Sequence, residues 1–466
     1  MSGADTLHAA LSEAVGAEQV FTSEAIELRY HTDLRGLPLP RPAYVVRPAN
    51  TEEVAAVLRI AQRFKTAVTT QGGRTGVVGG ADAGGDSIAL SIERMNRILE
   101  IDPASMTMTV EAGCILQTVQ DKAEAQGMIL PLDLGARGSA TIGGNIATNA
   151  GGVRVLRWGM MRDMVLGLEA VLADGTVLSG LHKTIKDNAG YDLKHLLIGS
   201  EGTLGVVTKA VLRLRPAPKT TQTALLALNS FDDAITLLRR LEGEMAGTLS
   251  SFEVMWDDFY SLITTTNAAK RPAPLPVGSP FFALVETMGA EPERDAIRFE
   301  EVLAGVLADH LATDAVIAQS NADRERLWAV REDLNDAMAS MWPLFAFDVS
   351  VAVSEMEAFV TEVKSKVMAR FPDARFVTYG HIGDGNLHLM VGVDAADAET
   401  HHAVDVAVFE TVQRFNGSIS AEHGIGTMKR DYIGFTRTPV ELALMKAIKQ
   451  TMDPAHILNP GKMLPA

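Results

Sequence analysis

The pattern of hydrophobic and polar positions changes character near residue 218 of this 466-residue chain. Before that point, short apolar runs broken by glycine predict strands over 106–111, 165–172 and 204–212. An amphipathic run with acidic residues in its first turn predicts a helix over 51–64. A β-like stretch over 67–70 follows it, so the first half of the chain combines strands with few helices.

Beyond residue 220, strands alternate with longer amphipathic helices, a pattern typical of an α+β domain. These predicted helices lie over 232–241, 295–307 and 322–341, with a last one over 440–451. Pro216 and Pro218 flank Ala217 and interrupt both helix and strand, which marks a boundary. We therefore expect a first domain over 1–218, a second over 219–439, and a C-terminal segment over 440–466 that returns to the first domain.

Composition narrows the class of protein. Hydrophobic residues make up 47% and charged residues 21%, as in ordinary globular enzymes, and the net charge of −16 argues against a nucleic-acid-binding surface. The single cysteine, Cys114, excludes an internal disulfide and a cysteine-rich metal site. The sequence has neither a signal-peptide pattern nor an apolar run long enough to span a bilayer, so we expect a cytoplasmic protein without a membrane span.

Three glycine-dense segments, over 71–85, 135–152 and 199–205, stand out in the first domain. Glycine allows backbone N–H groups to approach a ligand closely, and successive N–H groups can surround a pyrophosphate. None of the segments is a Rossmann fingerprint or a P-loop. Each alone could be an ordinary turn, but together they favour a large phosphate-bearing cofactor.

A histidine-rich segment over 379–389 carries the sharpest chemical signal. Asp384-Gly385 predicts a two-residue type I′ turn, which would place His381 opposite His388 on one face of a hairpin. Directly opposed residues have Cβ atoms roughly 4.5–5.5 Å apart, close enough for both imidazoles to bind one metal ion. Glu422 offers a third ligand, and two histidines with one carboxylate suit zinc, manganese or iron.

Together these motifs resemble the D-2-hydroxy-acid dehydrogenases of the vanillyl-alcohol-oxidase-like FAD family. The resemblance runs from Arg47-Pro48 to the tail over 459–462 and includes the motifs HIGDGNLH and EHGIG. It implies an α+β fold, with a two-part FAD-binding domain and an α+β substrate (cap) domain. It also implies oxidation of a D-2-hydroxy acid to the 2-keto acid.

The same resemblance assigns roles to individual residues. It makes His381, His388 and Glu422 ligands of a divalent metal, zinc before manganese, and His423 the catalytic base that takes the hydroxyl proton. Arg331 would bind the substrate carboxylate, although a surface arginine paired with a neighbouring glutamate is the alternative, and Asn386 would contact the substrate beside the metal.

Residues in or near the glycine-dense segments are implied to contact FAD. They are Gly72, Gly73, Arg74, Thr75, Gly76, Gly79, Gly80, Leu134, Gly135, Gly138, Ser139, Gly143, Gly144, Asn145, Ala147, Thr148, Gly152, Arg154, Gly202, Gly205, Val207 and Asn459. Some relatives attach FAD covalently through a histidine in the first glycine loop. Because Arg74 and Thr75 occupy that region here, we expect noncovalent FAD.

Two departures from the family pattern bear on the substrate. Relatives that act on 2-hydroxyglutarate tend to carry a lysine where this chain has Ala346, and Asn335 replaces an expected threonine. A distal carboxylate would then lack a cation, which favours D-lactate or another short or apolar-tailed acid, with D-2-hydroxyglutarate as the alternative. An electron-transfer flavoprotein or a quinone would accept the electrons, and a homodimer is possible.

Two readings from other classes remain open at this point. The first is a metal-dependent hydrolase without flavin, in which the glycine loops serve only structure. The second is a ligand-binding protein without turnover, which leaves a base next to a metal ligand unexplained.

Overall fold

The computed structural model of the chain describes residues 3–32, 39–265, 272–334 and 338–465. The chain forms two compact units. The first comprises Met1–Gly152, Gly159–Ala217 and Glu422–Ala466, and the second comprises Val153–Trp158 and Pro218–Ala421. The chain thus leaves the second unit at Ala421, whereas the sequence pattern predicts the return to the first unit at residue 440. The earlier return is explained by Glu201 of the first unit, whose carboxylate accepts the N–H groups of Ile425 at 2.7 Å and Gly426 at 2.8 Å.

The strands are numbered in chain order. They are β1 (Val20–Thr22), β2 (Tyr44–Val46), β3 (Val68–Gln71), β4 (Ile88–Ser91), β5 (Ile98–Asp102), β6 (Thr107–Glu111), β7 (Met128–Ile129), β8 (Val165–Val171), β9 (Val177–Gly180), β10 (Val206–Arg213), β11 (Arg215–Pro216), β12 (Thr220–Leu228), β13 (Leu249–Trp256), β14 (Phe281–Gly289), β15 (Asp314–Ile317), β16 (Leu344–Ser350), β17 (Arg375–His381) and β18 (Asn386–Gly392).

The α-helices are numbered in the same way. They are α1 (Gly3–Val15), α2 (Thr51–Phe64), α3 (Leu116–Glu124), α4 (Ile142–Thr148), α5 (Val155–Trp158), α6 (Met161–Met164), α7 (Lys194–Leu197), α8 (Phe231–Glu244), α9 (Asp257–Thr265), α10 (Pro292–Ala308), α11 (Asn321–Glu332), α12 (Met356–Arg370), α13 (Ala398–Arg414) and α14 (Pro439–Met452). Short 3-10 helices occupy Ala17–Gln19, Ser23–Ala25, Leu28–Tyr30, Val353–Glu355, Ile382–Asp384 and Arg430–Phe435. No helix in the described ranges is both long and apolar enough to cross a membrane.

The first unit contains three sheets. A four-stranded sheet has the order β1-β2-β4-β3, a five-stranded sheet the order β5-β6-β10-β8-β9, and β7 pairs with β11. In the four-stranded sheet, β4 runs parallel to both β2 and β3, and α2 lies between β2 and β3 in the chain. Helix α2 begins where the Asn50 side chain accepts the Glu53 N–H, and it ends at Lys65, which adopts the left-handed conformation.

The second unit is built on one seven-stranded sheet with the order β15-β12-β14-β13-β17-β18-β16. All of its neighbouring strands pair antiparallel. All eight residues of β13 are buried, as are the first eight of β14, so both faces of the sheet centre are covered. Helices α9 and α11 contribute Phe259, Tyr260 and Leu327 to a hydrophobic core that also contains Tyr379 of β17.

Most predicted elements are confirmed within a few residues, including α2, α8, α10 and α14. The single helix predicted over 322–341 is wrong, because α11 ends at Glu332 and Asp333 caps it with a non-helical φ of −80° and ψ of 61°. Residues 335–337, with Asn335, lie outside the described residues.

The sole cysteine provides a test of the packing of the first unit. Cys114 is buried, and burial raises the pKa of its thiol to about 12. Because the thiolate is the reactive form, we expect a thiol reagent at pH 8 to label the native protein roughly a thousandfold more slowly than the unfolded chain. The measurement is the labelling rate with and without guanidinium, and equal rates in both states would contradict the packing.

Candidate functional site

In the first unit, the glycine-dense segments lie against one another. A Cβ atom at Gly73 would collide with the carbonyl oxygen of Ser139, and one at Gly72 would collide with the Thr141 hydroxyl. The first glycine loop and the second are therefore in backbone contact, which only glycine permits at these positions. Gly426, in the last segment of the first unit, approaches the Val78 carbonyl in the same way.

Other glycines of these segments have no packing reason to be glycine. A Cβ atom at Gly76, Gly135 or Gly138 would meet no atom within 4 Å. Nearby, Asn145 is 5% exposed and its side-chain nitrogen has no hydrogen-bond partner among the described residues. Open space above glycines, together with a buried amide that lacks a partner, fits a bound ligand that fills the space and accepts the hydrogen bond.

A buried polar cluster joins the C-terminal segment to β3. The Asn459 side chain donates to the Glu201 carbonyl at 2.5 Å and accepts the Thr70 N–H at 3.1 Å, and Lys462 donates to the Thr69 hydroxyl at 3.0 Å. Burial lowers the pKa of Lys462 to about 8, although the charge of Asp82 and then that of Glu201 oppose the shift.

Asn459 was predicted from the sequence, whereas Glu201 and Lys462 were not. The NPGK tail that contains Lys462 was the available signal.

In the second unit, the predicted hairpin has a different register. The turn is a 3-10 helix over Ile382–Asp384 followed by Gly385 at φ 90°, and Tyr379, not His381, pairs with His388. The type I′ prediction is wrong because the fully buried Ile382 belongs to the turn, which is closed by the Gly385 N–H bonded to the Ile382 carbonyl at 3.3 Å.

The two histidines nevertheless converge. Because side chains two residues apart in a strand share a face, His381 and Tyr379 project to the same side, and His381 is a diagonal neighbour of His388. Their ring centroids are 5.4 Å apart, their nearest potential ligand atoms lie within 4.8 Å of each other, and both residues are less than 10% exposed.

Glu253 of β13 connects His381 to Arg331. One carboxylate oxygen lies 2.5 Å from His381 Nδ1, and the other accepts from Arg331 Nε at 2.8 Å. Burial would raise the pKa of Glu253, but the charges of His381 and Arg331 and their hydrogen bonds outweigh it and lower the pKa to about 2. Glu253 was not predicted from the sequence, where the available signal was an acidic residue inside the apolar strand Leu249–Trp256.

Arg331 is not a surface arginine, and it forms an ion pair with Glu253 of β13. It is 7% exposed, and its guanidinium lies 4.3 Å from the centroid of the Tyr379 ring. The alternative of an exposed arginine on the helix surface is therefore wrong as to where this side chain lies. Its contact with the substrate stays a prediction.

Asp348, opposite His388 in the β16–β18 register, was also missed from the sequence. Potential ligand atoms of Asp348 and His388 lie within 4.8 Å of each other. The Asp348 carbonyl accepts the N–H of Ala421 at 3.3 Å. Glu422 and His423 are the next two residues of the chain, and they begin the last segment of the first unit.

Asn386 has a chemical signature of a binding residue. It is 3% exposed, and neither its side-chain nitrogen nor its side-chain oxygen has a hydrogen-bond partner within the described ranges. It stands at the start of β18, two residues before His388. A buried amide without partners is costly unless a ligand satisfies it.

The predicted FAD contacts fall in the first unit, with the exception of Arg154 in the segment Val153–Trp158 of the second. Gly152 approaches the Asp133 carbonyl, and Ala147 accepts the Glu201 N–H at 2.8 Å. Gly202 packs on the Asn459 side chain. The structure thus brings the second glycine segment, the third and the tail together.

Comparison with known families identifies the class. Residues 42–180 match the family described as FAD binding domain, and residues 217–463 match the family described as FAD linked oxidases, C-terminal domain. The p-cresol methylhydroxylase structure with substrate bound has a TM-score of 0.77 and 17% identity, over 99% of this chain and 97% of that one. The fold is therefore the vanillyl-alcohol-oxidase-like FAD-binding fold predicted from the sequence.

Curated relatives narrow the family. Mitochondrial D-2-hydroxyglutarate dehydrogenase from Bos taurus is 41% identical over 90% of this chain and 76% of its own length. D-2-hydroxyglutarate dehydrogenase from Xanthomonas citri pv. viticola is 39% identical over 97% and 96%. The chain belongs to the FAD-dependent D-2-hydroxy-acid dehydrogenase family and is an FAD-linked oxidoreductase. A hydrolase without flavin does not account for these matches.

The two kinds of glycine in the first loop separate packing from ligand binding. We expect Gly73→Ala to destabilise the flavin-free protein by about 1–3 kcal/mol, because its Cβ atom meets backbone. Gly76→Ala, with open space, should change that stability by less than about 0.5 kcal/mol but weaken FAD binding. Denaturant unfolding and flavin titration of both variants test this, and unchanged FAD affinity in Gly76→Ala would contradict a flavin contact there.

Proposed function

We propose that the protein oxidises a D-2-hydroxy acid to the 2-keto acid at a divalent metal site beside noncovalent FAD. The main support for the metal site is the buried pair His381 and His388, whose imidazole centroids are 5.4 Å apart. The Asn386 amide on the same hairpin has no hydrogen-bond partner in the part of the chain that the structure describes. Neutral imidazoles in this arrangement are ordinary ligands for zinc or manganese.

We assign the metal to His381, His388 and Glu422. The Ala421 N–H donates to the carbonyl of Asp348, and Asp348 is the partner of His388 in the sheet. Glu422 is the next residue after Ala421, so its place in the chain supports its carboxylate as the third ligand. When bound, the metal would act as a Lewis acid that lowers the pKa of the substrate hydroxyl.

His423 is the proposed base. It is adjacent to the proposed ligand Glu422 in the chain and would accept the hydroxyl proton through a ring nitrogen. When bound, FAD would accept the hydrogen on C2 as hydride. Arg331, held by Glu253 and the Tyr379 ring, would bind the substrate carboxylate through its guanidinium.

D-2-hydroxyglutarate is the substrate that the relatives support, since both of those above carry that name. A second candidate, D-lactate or another short or apolar-tailed acid, is supported by Ala346. Ala346, Met390 and Val377 are paired across three neighbouring strands and form an uncharged row. This row lies two residues along the strands from the pair Asp348 and His388. Arg375 begins the following row and could serve a distal carboxylate.

The base assignment predicts a specific kinetic defect. His423→Ala should reduce kcat by about 10²- to 10⁴-fold, because the proton is no longer taken by a positioned group, and should leave flavin content unchanged. Steady-state kinetics and the flavin-to-protein ratio measure this. His401→Ala is the control, since His401 lies on α13 with its side chain 49% exposed. Turnover of His423→Ala near the control value would reject the assignment.

Substrate choice can be decided by anaerobic mixing, in which bleaching of the flavin absorbance reports turnover. We expect D-2-hydroxyglutarate to bleach the flavin with a higher kcat/KM than D-lactate, and a chelator to abolish bleaching by both. Ala346→Lys should raise kcat/KM for D-2-hydroxyglutarate by at least about tenfold, through a charge-assisted bond to the distal carboxylate. The reverse preference in the wild-type protein would establish the apolar-tailed acid, and activity with L-isomers alone would reject both.

A further inference from the structure

Glu253 is a carboxylate in the interior of the second unit. It lies in β13 between Phe252 and Val254, and its exposed fraction is 0%. Burying an unpaired carboxylate is very costly, so such a group persists only where it is paired and hydrogen-bonded. Its partners therefore indicate why it is there.

Each oxygen of this carboxylate serves a different residue. Oε1 lies 2.5 Å from Nδ1 of His381, and Oε2 accepts from Nε of Arg331 at 2.8 Å. His381 ends β17 and Arg331 is the penultimate residue of α11, so one side chain joins the ends of two elements. These are a proposed metal ligand and the proposed carboxylate-binding residue.

The chemistry of the two contacts is specific. A carboxylate offers only acceptors, so in the neutral imidazole that a metal requires the hydrogen is on Nδ1, and Nε2 keeps its lone pair. Ligating histidines in proteins commonly donate their other N–H to a carboxylate, which fixes the ring and raises its basicity. For Arg331, the contact through Nε holds the guanidinium against the buried carboxylate and so fixes its position.

We infer that Glu253 is a positioning residue that presents His381 Nε2 to the metal and, through its second oxygen, fixes Arg331 for the substrate carboxylate. This inference rests on the proposed function. It makes the geometry between metal and substrate-binding arginine depend on one side chain that touches neither metal nor substrate.

Glu286 shows what a structural carboxylate looks like in the same sheet. It is 3% exposed on β14, next to β13, and its Oε2 accepts from the Thr223 hydroxyl at 3.1 Å and from Trp328 Nε1 at 2.8 Å. Both donors are neutral and neither is a proposed site residue. Glu286→Gln is therefore a matched control for loss of a buried carboxylate.

The test is the Glu253→Gln variant. Glutamine keeps the size of glutamate but has only one acceptor oxygen, so the contacts to His381 and Arg331 cannot both be maintained. We expect its zinc dissociation constant, measured by chelator competition with FAD retained, to rise 10- to 100-fold. The KM for the 2-hydroxy acid at saturating zinc should rise as well. Glu286→Gln should stay within about twofold of the wild-type zinc constant.

A zinc constant for Glu253→Gln within twofold of wild type would overturn the inference. If the variant does not fold, the wild-type protein decides the matter. With ¹⁵N-labelled histidine, the zinc-loaded protein should show His381 protonated on Nδ1, and protonation on Nε2 would overturn the inference. If the wild-type protein binds neither zinc nor manganese, the proposed metal site is wrong and the inference falls with it. If the wild-type protein binds zinc normally and Glu253→Gln does so equally well, only the role of Glu253 is wrong.

Discussion

A carboxylate enclosed in a β-sheet must be matched by hydrogen-bond donors at fixed positions, and the second unit is organised around that requirement. Glu253 is fully buried, so the imidazole of His381 and the guanidinium of Arg331 must stay within hydrogen-bond distance of it. Removing one partner of a buried pair typically costs about 3–5 kcal/mol, whereas an exposed pair contributes less than about 1 kcal/mol. The side chains of His381 and Arg331, which we propose bind metal and substrate, are therefore placed by the core rather than by flexible loops.

The first unit meets a different constraint, the close approach of backbone segments. Gly73 lies against the Ser139 carbonyl and Gly426 against the Val78 carbonyl, so loops that are distant in sequence pack without side chains between them. Open space remains next to the peptide groups of Gly76 and of Gly138, where a Cβ atom would meet nothing within 4 Å. Such a surface suits a pyrophosphate, which is bound by backbone N–H groups rather than by a cluster of basic side chains. This is consistent with an FAD-binding unit in a protein of net charge −16.

Local patterns in the sequence were sufficient for elements whose stability is local. The helix α2 has a capping asparagine, Asn50, and an apolar face, and its predicted bounds agree with the structure. The turn between His381 and His388 was mispredicted because Asp384-Gly385 favours a two-residue turn, whereas burial of Ile382 imposes a longer one. Side-chain alternation survived that error, since a shift of two residues keeps His381 on the same face.

Glu253 and Asp348 show the limit of such reasoning. Each is one acidic residue inside an apolar strand, and its partners are far away in sequence: Arg331 is 78 residues from Glu253, and His381 is 128. A motif search finds residues that cluster along the chain, as His381, His388 and Glu422 do within their motifs. A residue on another strand that contacts them, such as Glu253, belongs to no such motif. It is identified only from the sheet order β13-β17-β18-β16, which places the strands side by side.

Two kinds of observation bear on the substrate: overall sequence identity to relatives, and single residues near the proposed site. Identity of about 40% over most of the chain establishes the family as a whole. The tail of the substrate is recognised by few residues, so a single change there alters specificity with almost no effect on overall identity. Ala346 lies in an uncharged row beside His388, and a carboxylate that leaves water without a cation loses several kcal/mol. A dicarboxylate therefore requires a cation from elsewhere in the unit, and an apolar tail requires none.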